Sequence, residues 1–377
     1  MKGEGPRKTR IAIACQGGDS QTAFTAGALK ALMENDDPEG FEVVGISGTS
    51  GGAVCAALAW YAYRKKDPLP WKRLYDFWDD NSAQTLPEQL FNQWVVSSIG
   101  MVNKGLLPVF QLSPASPFVQ AAMRTAAIGV PASFIEFDGL LRKYIDFDEI
   151  AEWGSCTERP ALILGAANVN SGRLAKFASN RQPIRLEHIL ASCAVPTIFP
   201  AVEIDGEYYW DGLFSDNPPL DELIRPAWVG EGNIPDEIWL IKINPTRWDK
   251  PINSAAEIID RRNQLEGNLS LAHQLASLEL INDLVLAGAF RPEFLGGLDV
   301  KTAIRIPKMF ADDAPKPYHI PCIEVPAEVA DNLDYLGKID RSTANINWLR
   351  AKGEAAGRAF LAERRALLAA NPLPDMG

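Results

Sequence analysis

Histidine is scarce in this chain, with His188, His273 and His319 the only three in 377 residues. The scarcity matters because imidazole is the usual base beside a nucleophile and the commonest metal ligand. No Cys-x-x-Cys is present either, so no metal-ligand spacing can be composed, and neither metal nor cofactor is expected. The five cysteines (Cys15, Cys55, Cys156, Cys193, Cys322) are odd in number, scattered and mostly set in apolar runs. Such cysteines behave as small buried hydrophobes and suit a reducing compartment, so the cytoplasm is the expected location. Long apolar runs are missing too: nothing approaches the ~18 residues of a membrane span. Positive charge is in deficit, with a formal net charge of -11. That argues against a nucleic-acid partner, which needs clustered Lys and Arg. It leaves open a transient contact with a membrane surface, because a local patch can dock on lipid in an acidic protein.

What is present suits a globular protein. Hydrophobic residues make up 47% and charged residues 23%, enough apolar material for a sizeable core. The start of the chain carries Lys2, Arg7, Lys8 and Arg10, but the apolar stretch behind them, Ile11 to Cys15, is too short for a signal sequence. It reads as a buried strand. No internal repeat occurs.

Up to about Tyr61 the pattern alternates. Thr9–Cys15 reads as a strand ending in glycines, Thr22–Glu34 as a helix, Phe41–Ser47 as a second strand and Ala53–Tyr61 as a second helix. This order implies a parallel sheet with helices on its faces. Residues 64–130 differ, being rich in Trp, Pro, Phe and Met with weak periodicity. They fit an inserted helical segment, either packed on the core or serving as a lid or acyl-chain groove. Strands resume at Pro160–Asn168, at Ala201–Ile204 and Glu207–Trp210 around an Asp205-Gly206 turn, at Glu237–Ile243 and at His319–Val325. Two long helical stretches, Ser254–Ala287 and Ser342–Ala370, read as scaffold. The expected division is a main domain over 1–330 and a C-terminal helical extension over 331–377.

Gly48-Thr49-Ser50-Gly51-Gly52 matches G-x-S-x-G between an apolar strand and an apolar helix, the context a nucleophile elbow requires. Gly48 and Gly52 remove bulk from a sharp turn, and the helix aims amides and a positive dipole end at a nearby oxyanion. A plain turn capped by Ser50 would give the same string. One βα unit earlier, Gln16-Gly17-Gly18-Asp19-Ser20 lies at the same sheet edge, where backbone amides of Gly17, Gly18 and Asp19 could donate to a tetrahedral intermediate. Neither glycine cluster fits a dinucleotide or P-loop pattern.

A serine needs a base. His188 lies on a helix with apolar neighbours and His273 inside a long scaffold helix. His319, late in the chain after Asp313–Tyr318, is the better triad candidate. Against them stands Asp211 in Tyr209-Trp210-Asp211-Gly212-Leu213, at a strand end among aromatics, where an apolar setting raises a carboxyl pKa towards the range of a base. An ordinary Asp-Gly turn is the bland alternative.

Together, the glycine loop, the elbow and the downstream Asp211-Gly212, with Asn217 and Pro219 at set distances, resemble the patatin-like phospholipase family in its bacterial form. Ala191–Pro200 is similar to the family's approach to its aspartate, and the likeness covers roughly residues 9–245. The resemblance implies a three-layer α/β/α fold with a mostly parallel central sheet. It implies a Ser50–Asp211 dyad, an oxyanion hole from Gly17, Gly18 and Asp19, and hydrolysis of lipid acyl esters through an acyl-enzyme without a cofactor. Four positions depart from the family: Asp19 and Thr22 replace glycines, Gln21 replaces Arg or Lys, and Leu213 replaces the second glycine of Asp-Gly-Gly. A Ser-His-Asp hydrolase or acyltransferase, and a lipid-binding pseudoenzyme, remain the alternatives.

Overall fold

Several strands of this chain are apolar at consecutive positions, and the computed structural model shows both of their faces covered. It describes residues 8–35, 40–104, 106, 117–196, 199–248, 251–252, 255–286, 289, 320–330, 333 and 335–370. His319 and the proline-rich stretch before it lie outside the described residues. In β1 (Thr9–Cys15), Ile11, Ile13 and Cys15 enter one core cluster while Ala12 and Ala14 enter a second on the opposite face. A period-2 backbone must distribute side chains this way, so a run apolar at every position needs helices on both sides.

The other strands are β2 (Phe41–Thr49), β3 (Ala161–Asn168), β4 (Leu174–Ala178), β5 (Val202–Ile204), β6 (Glu207–Asp211), β7 (Glu237–Lys242) and β8 (Cys322–Glu324). They form one eight-stranded sheet in the order β5-β6-β3-β2-β1-β7-β8, with β4 also paired to β3. The β3-β2-β1-β7-β8 stretch is parallel, and β4, β5 and β6 run antiparallel to their neighbours. The fold is the mostly parallel α/β/α sandwich that the sequence predicts.

Helix α1 (Ala23–Met33) follows β1. Between β2 and β3 come α2 (Gly51–Lys65), α3 (Lys72–Asn81), α4 (Leu86–Asn103), α5 (Pro117–Ala126), α6 (Ala132–Ile135), α7 (Phe137–Tyr144) and α8 (Phe147–Trp153). The inserted helical segment thus runs on past residue 130, to the start of β3. Then come α9 (Leu186–Ser192), α10 (Pro226–Val229), α11 (Ala255–Leu286), α12 (Ala327–Ala330), α13 (Tyr335–Ile339) and α14 (Thr343–Ala370). The larger cluster joins α1, α2 and α14 to the sheet, with Leu29, Leu58 and Leu349 at its centre. The second sets Val229 of α10 and Leu271 and Leu278 of α11 against Ile238 and Leu240 of β7. No helix among the described residues is long and apolar enough to cross a membrane.

Candidate active site

Strand register decides which residues meet. Cys15 of β1 pairs with Gly48 of β2, and Thr49 pairs with Gly165 of β3. One residue further along β3, Ala166 pairs with Asp211 of β6. Ser50, which follows Thr49, and Asp211 therefore lie at the same level of the sheet, although 161 positions separate them in sequence.

Ser50 sits at φ 56°, ψ −133°, a left-handed backbone that a non-glycine residue holds only when its surroundings force it. The forces are visible. Its N–H donates to Ser192 Oγ at 3.0 Å, and Ser192 Oγ donates to Gly165 O at 2.6 Å. Thr49 Oγ1 donates to Asp216 O at 2.6 Å on the other side. Gly52 brings α2 so close to β1 that a Cβ there would lie 2.3 Å from Cys15 O, so the turn accepts no side chain. The positive end of α2, fifteen residues long, begins at the elbow.

Asp211 is fully buried. Its N–H donates to Ala194 O at 2.9 Å, and Oδ1 accepts from Leu213 N at 2.7 Å. The Ser50 hydroxyl interacts with the carboxyl and pulls its pKa down, yet Oδ2 has no partner in full hydrogen-bond geometry. Burial, and then the nearby Asp19 carboxylate, push the Asp211 pKa from 3.8 up to about 7. The Leu213 amide, Ser50 and Lys338 oppose that rise without cancelling it. A carboxylate so placed can take a proton at neutral pH, as a base must.

The glycine loop crosses in front of the elbow. A Cβ on Gly17 would come within 2.7 Å of Thr49 O and 2.8 Å of the Ser50 Cβ, so only glycine lets the loop approach the hydroxyl. The Gly17 amide, however, donates to Asn217 Oδ1 at 2.7 Å. This corrects the expectation of three amides for an oxyanion: Gly17 is engaged, and Gly18 and Asp19 are left at the start of the short turn Asp19–Thr22. Asn217 is thereby a structural clasp, its Nδ2 donating to Gly267 O of α11 at 3.1 Å. Gln16 adds a second tie, donating to Asn268 Oδ1 at 2.9 Å and accepting from the amides of Ile243 and Asn244.

The departures from the family pattern have local accommodations. Thr22 Oγ1 donates to Asp19 O at 2.5 Å, closing the turn. Leu213 lies against Gly267 of α11, while Gly212 packs onto Gly165 of β3. Asp19 adopts φ 48°, where glycine would be relaxed, and burial raises its pKa, which favours the uncharged form.

The histidines sit elsewhere. His188 is buried in α9, stacked on Phe177 with ring centroids 4.1 Å apart, and both ring nitrogens face Arg185 donors. Burial drives its pKa down to about 3. His273 is exposed on α11. Replacing His188 with Ala should lower Tm by several degrees, as loss of a packed ring does. It should leave kcat/KM within about threefold of wild type, measured below the melting transition.

A cavity of about 320 Å³ opens beside Ser50. Phe77, Trp78, Phe91, Phe134, Phe137 and Leu140 form apolar walls drawn from α3, α4, α6 and α7. Asp19, Cys193 and Lys338 line it together with Ser50. No cluster of metal-ligating side chains occurs among the described residues.

A search of solved structures finds VipD from Legionella pneumophila, with TM-score 0.38 and 13% identity over 95% of this chain and 67% of that one. It also finds the ExoU–SpcU heterodimeric complex from the type III secretion system of Pseudomonas aeruginosa, with TM-score 0.32 and 15% identity over 95% and 52%. This chain spans about half the length of the latter. At this level the likenesses carry no functional argument. No curated protein sequence matches. The Patatin-like phospholipase family profile matches residues 13–224, more than half of the sequence, with the elbow and the aspartate both inside it. The chain belongs to the patatin-like phospholipase family, whose members are lipid acyl hydrolases.

Proposed function

We propose that the chain hydrolyses lipid acyl esters with Ser50 as nucleophile and Asp211 as general base. The observation that carries this reading is the register that sets a buried carboxyl, with pKa about 7, against a strained serine hydroxyl. The Ser50 proton passes to Asp211 as the Oγ–carbonyl bond forms. Asp211 returns that proton to the departing alcohol as the ester C–O bond breaks. Water then attacks the acyl-enzyme carbonyl and gives one proton to Asp211; the Ser50 Oγ–acyl bond breaks, the fatty acid leaves, and Asp211 returns the proton to Ser50 Oγ. The amides of Gly18 and Asp19, with the α2 terminus behind them, would receive the carbonyl oxygen.

The aromatic cavity is the natural seat for an acyl chain, which makes the helices inserted between β2 and β3 the wall of that seat. Leu86, Leu90 and Trp94 recur every four residues along α4 and are exposed, an apolar stripe suited to transient contact with a lipid surface.

The test is covalent labelling with a fluorophosphonate probe, followed by peptide mapping, alongside fatty-acid release from phospholipid vesicles. Labelling confined to Ser50 together with fatty-acid release is the expected result; a labelled protein carrying the probe elsewhere would sink the assignment. A further expectation concerns the loop. Asp19→Gly should raise kcat/KM at pH 7 about three- to tenfold, because it removes a carboxylate beside the developing oxyanion and relaxes φ. An unchanged rate would show the side chain to be harmless there.

A further inference from the structure

We propose that Lys338 is a positioning residue for the dyad: carried by α13, its ammonium supplies the counter-charge that keeps the Asp211 carboxylate available as a base beside Asp19. The inference rests on the dyad assigned above and lies outside the family-matched residues 13–224. Helix α13 packs against the Asp19–Thr22 turn, and Lys338 lines the same cavity as Asp19 and Ser50. Its Nζ lies 3.4 Å from Asn244 Oδ1, and Asn244 Nδ2 donates to Gly17 O at 3.3 Å. The ammonium is thus tied to the glycine loop that faces the nucleophile.

Two carboxyl groups share this half-closed site, and like charges there hinder each other's ionisation. Asp19 pushes the Asp211 pKa up, while Lys338 draws both carboxyls down. Among the described residues, the other groups that act on Asp211 are uncharged. Cys193, from the loop after α9, has its thiol pushed well above the ordinary range by burial, and Ser50 and the Leu213 amide carry no charge. Arg341 also lines the cavity, its Nε and Nη1 donating to the carbonyls of Asn81 and Phe134, but it is not among the groups that shift Asp211, whereas Lys338 is. Lys338 is therefore the cation whose field reaches the base.

The experiment is the pH profile of kcat/KM for wild type, Lys338→Met, Lys338→Arg, Asp19→Asn and the Asp19→Asn/Lys338→Met double variant. Lys338→Met should move the acid limb upward by about half to one pH unit, a three- to tenfold loss at pH 6 that is recovered by pH 9. Lys338→Arg should keep the wild-type midpoint, Asp19→Asn should lower it, and the double variant should return near wild type. If Lys338→Met fails to fold, Lys338→Gln and the pH dependence of fluorophosphonate labelling give the same midpoint. A midpoint unmoved by loss of the lysine, even with a lower plateau, would overturn the proposal and leave Lys338 as a packing residue. Retained activity in Asp211→Asn would overturn the dyad itself, a different and separately visible failure.

Discussion

Asp211→Asn is expected to lower kcat/KM by about 10²–10⁴, the usual contribution of a positioned general base. Asparagine keeps the shape and can still accept from the Leu213 amide, but it cannot take the Ser50 proton. The wild-type profile should fall below pH 7, since a base with pKa about 7 is progressively protonated there, and the variant's residual rate should lose that limb. The same substitution should stabilise the protein. The unfolded carboxyl releases its proton near 3.8, whereas the folded one holds it to about 7, so wild-type stability declines across that window and stays reduced above it. The full penalty is roughly 4 kcal/mol at high pH, and the buried amide N–H of asparagine will offset part of the relief. Thermal unfolding at pH 4 and pH 8.5 checks this: the variant's advantage should be small at the first and several degrees at the second. A variant no more stable at pH 8.5 would mean that the carboxyl is far less strained than its burial indicates.

That trade of stability for reactivity explains which parts of the site were legible in the sequence. Ser50 and Asp211, the two residues of the proposed dyad, stand out as candidates because each lies in local chemistry that leaves a mark: glycines around a strained turn, and an Asp-Gly at a strand end. The strands β1, β2 and β7 were legible as well, because burial on both faces writes unbroken apolar runs. Strand β4 was not. Its Leu174 is exposed and Lys176 interrupts it, and Lys176 is explained only by Asp216 and Glu222, which pair with it across the fold. The helices α7 and α8 are short and follow the weakly periodic 64–130 stretch, so periodicity had little to act on. The Gly17 amide could not be known to serve Asn217, two hundred positions away. Ser192 and Lys338 were invisible for the same reason: a residue that acts through space leaves no spacing rule behind.

Ser50→Ala is expected to have the largest effect of all, a loss of roughly 10⁵–10⁶ in kcat, because it removes the hydroxyl proposed to form the acyl-enzyme. Ser192 lies beside the elbow, but its Oγ is committed on both sides, accepting from Ser50 N and donating to Gly165 O. An acyl-enzyme also predicts how the two dyad variants combine. If serine and aspartate act in one proton transfer, removing the second after the first costs almost nothing, so the Ser50→Ala/Asp211→Asn double variant should be no slower than Ser50→Ala alone. Additive losses would mean that the two groups work in separate steps. Burst kinetics with a p-nitrophenyl ester supply the complementary measurement. Wild type should release about one equivalent of phenol per active site if deacylation limits the rate, Asp211→Asn should show a slowed burst, and Ser50→Ala none. A burst that survived in Ser50→Ala would place the nucleophile on another residue, and the register argument linking β2, β3 and β6 would then describe a scaffold instead of a catalytic centre.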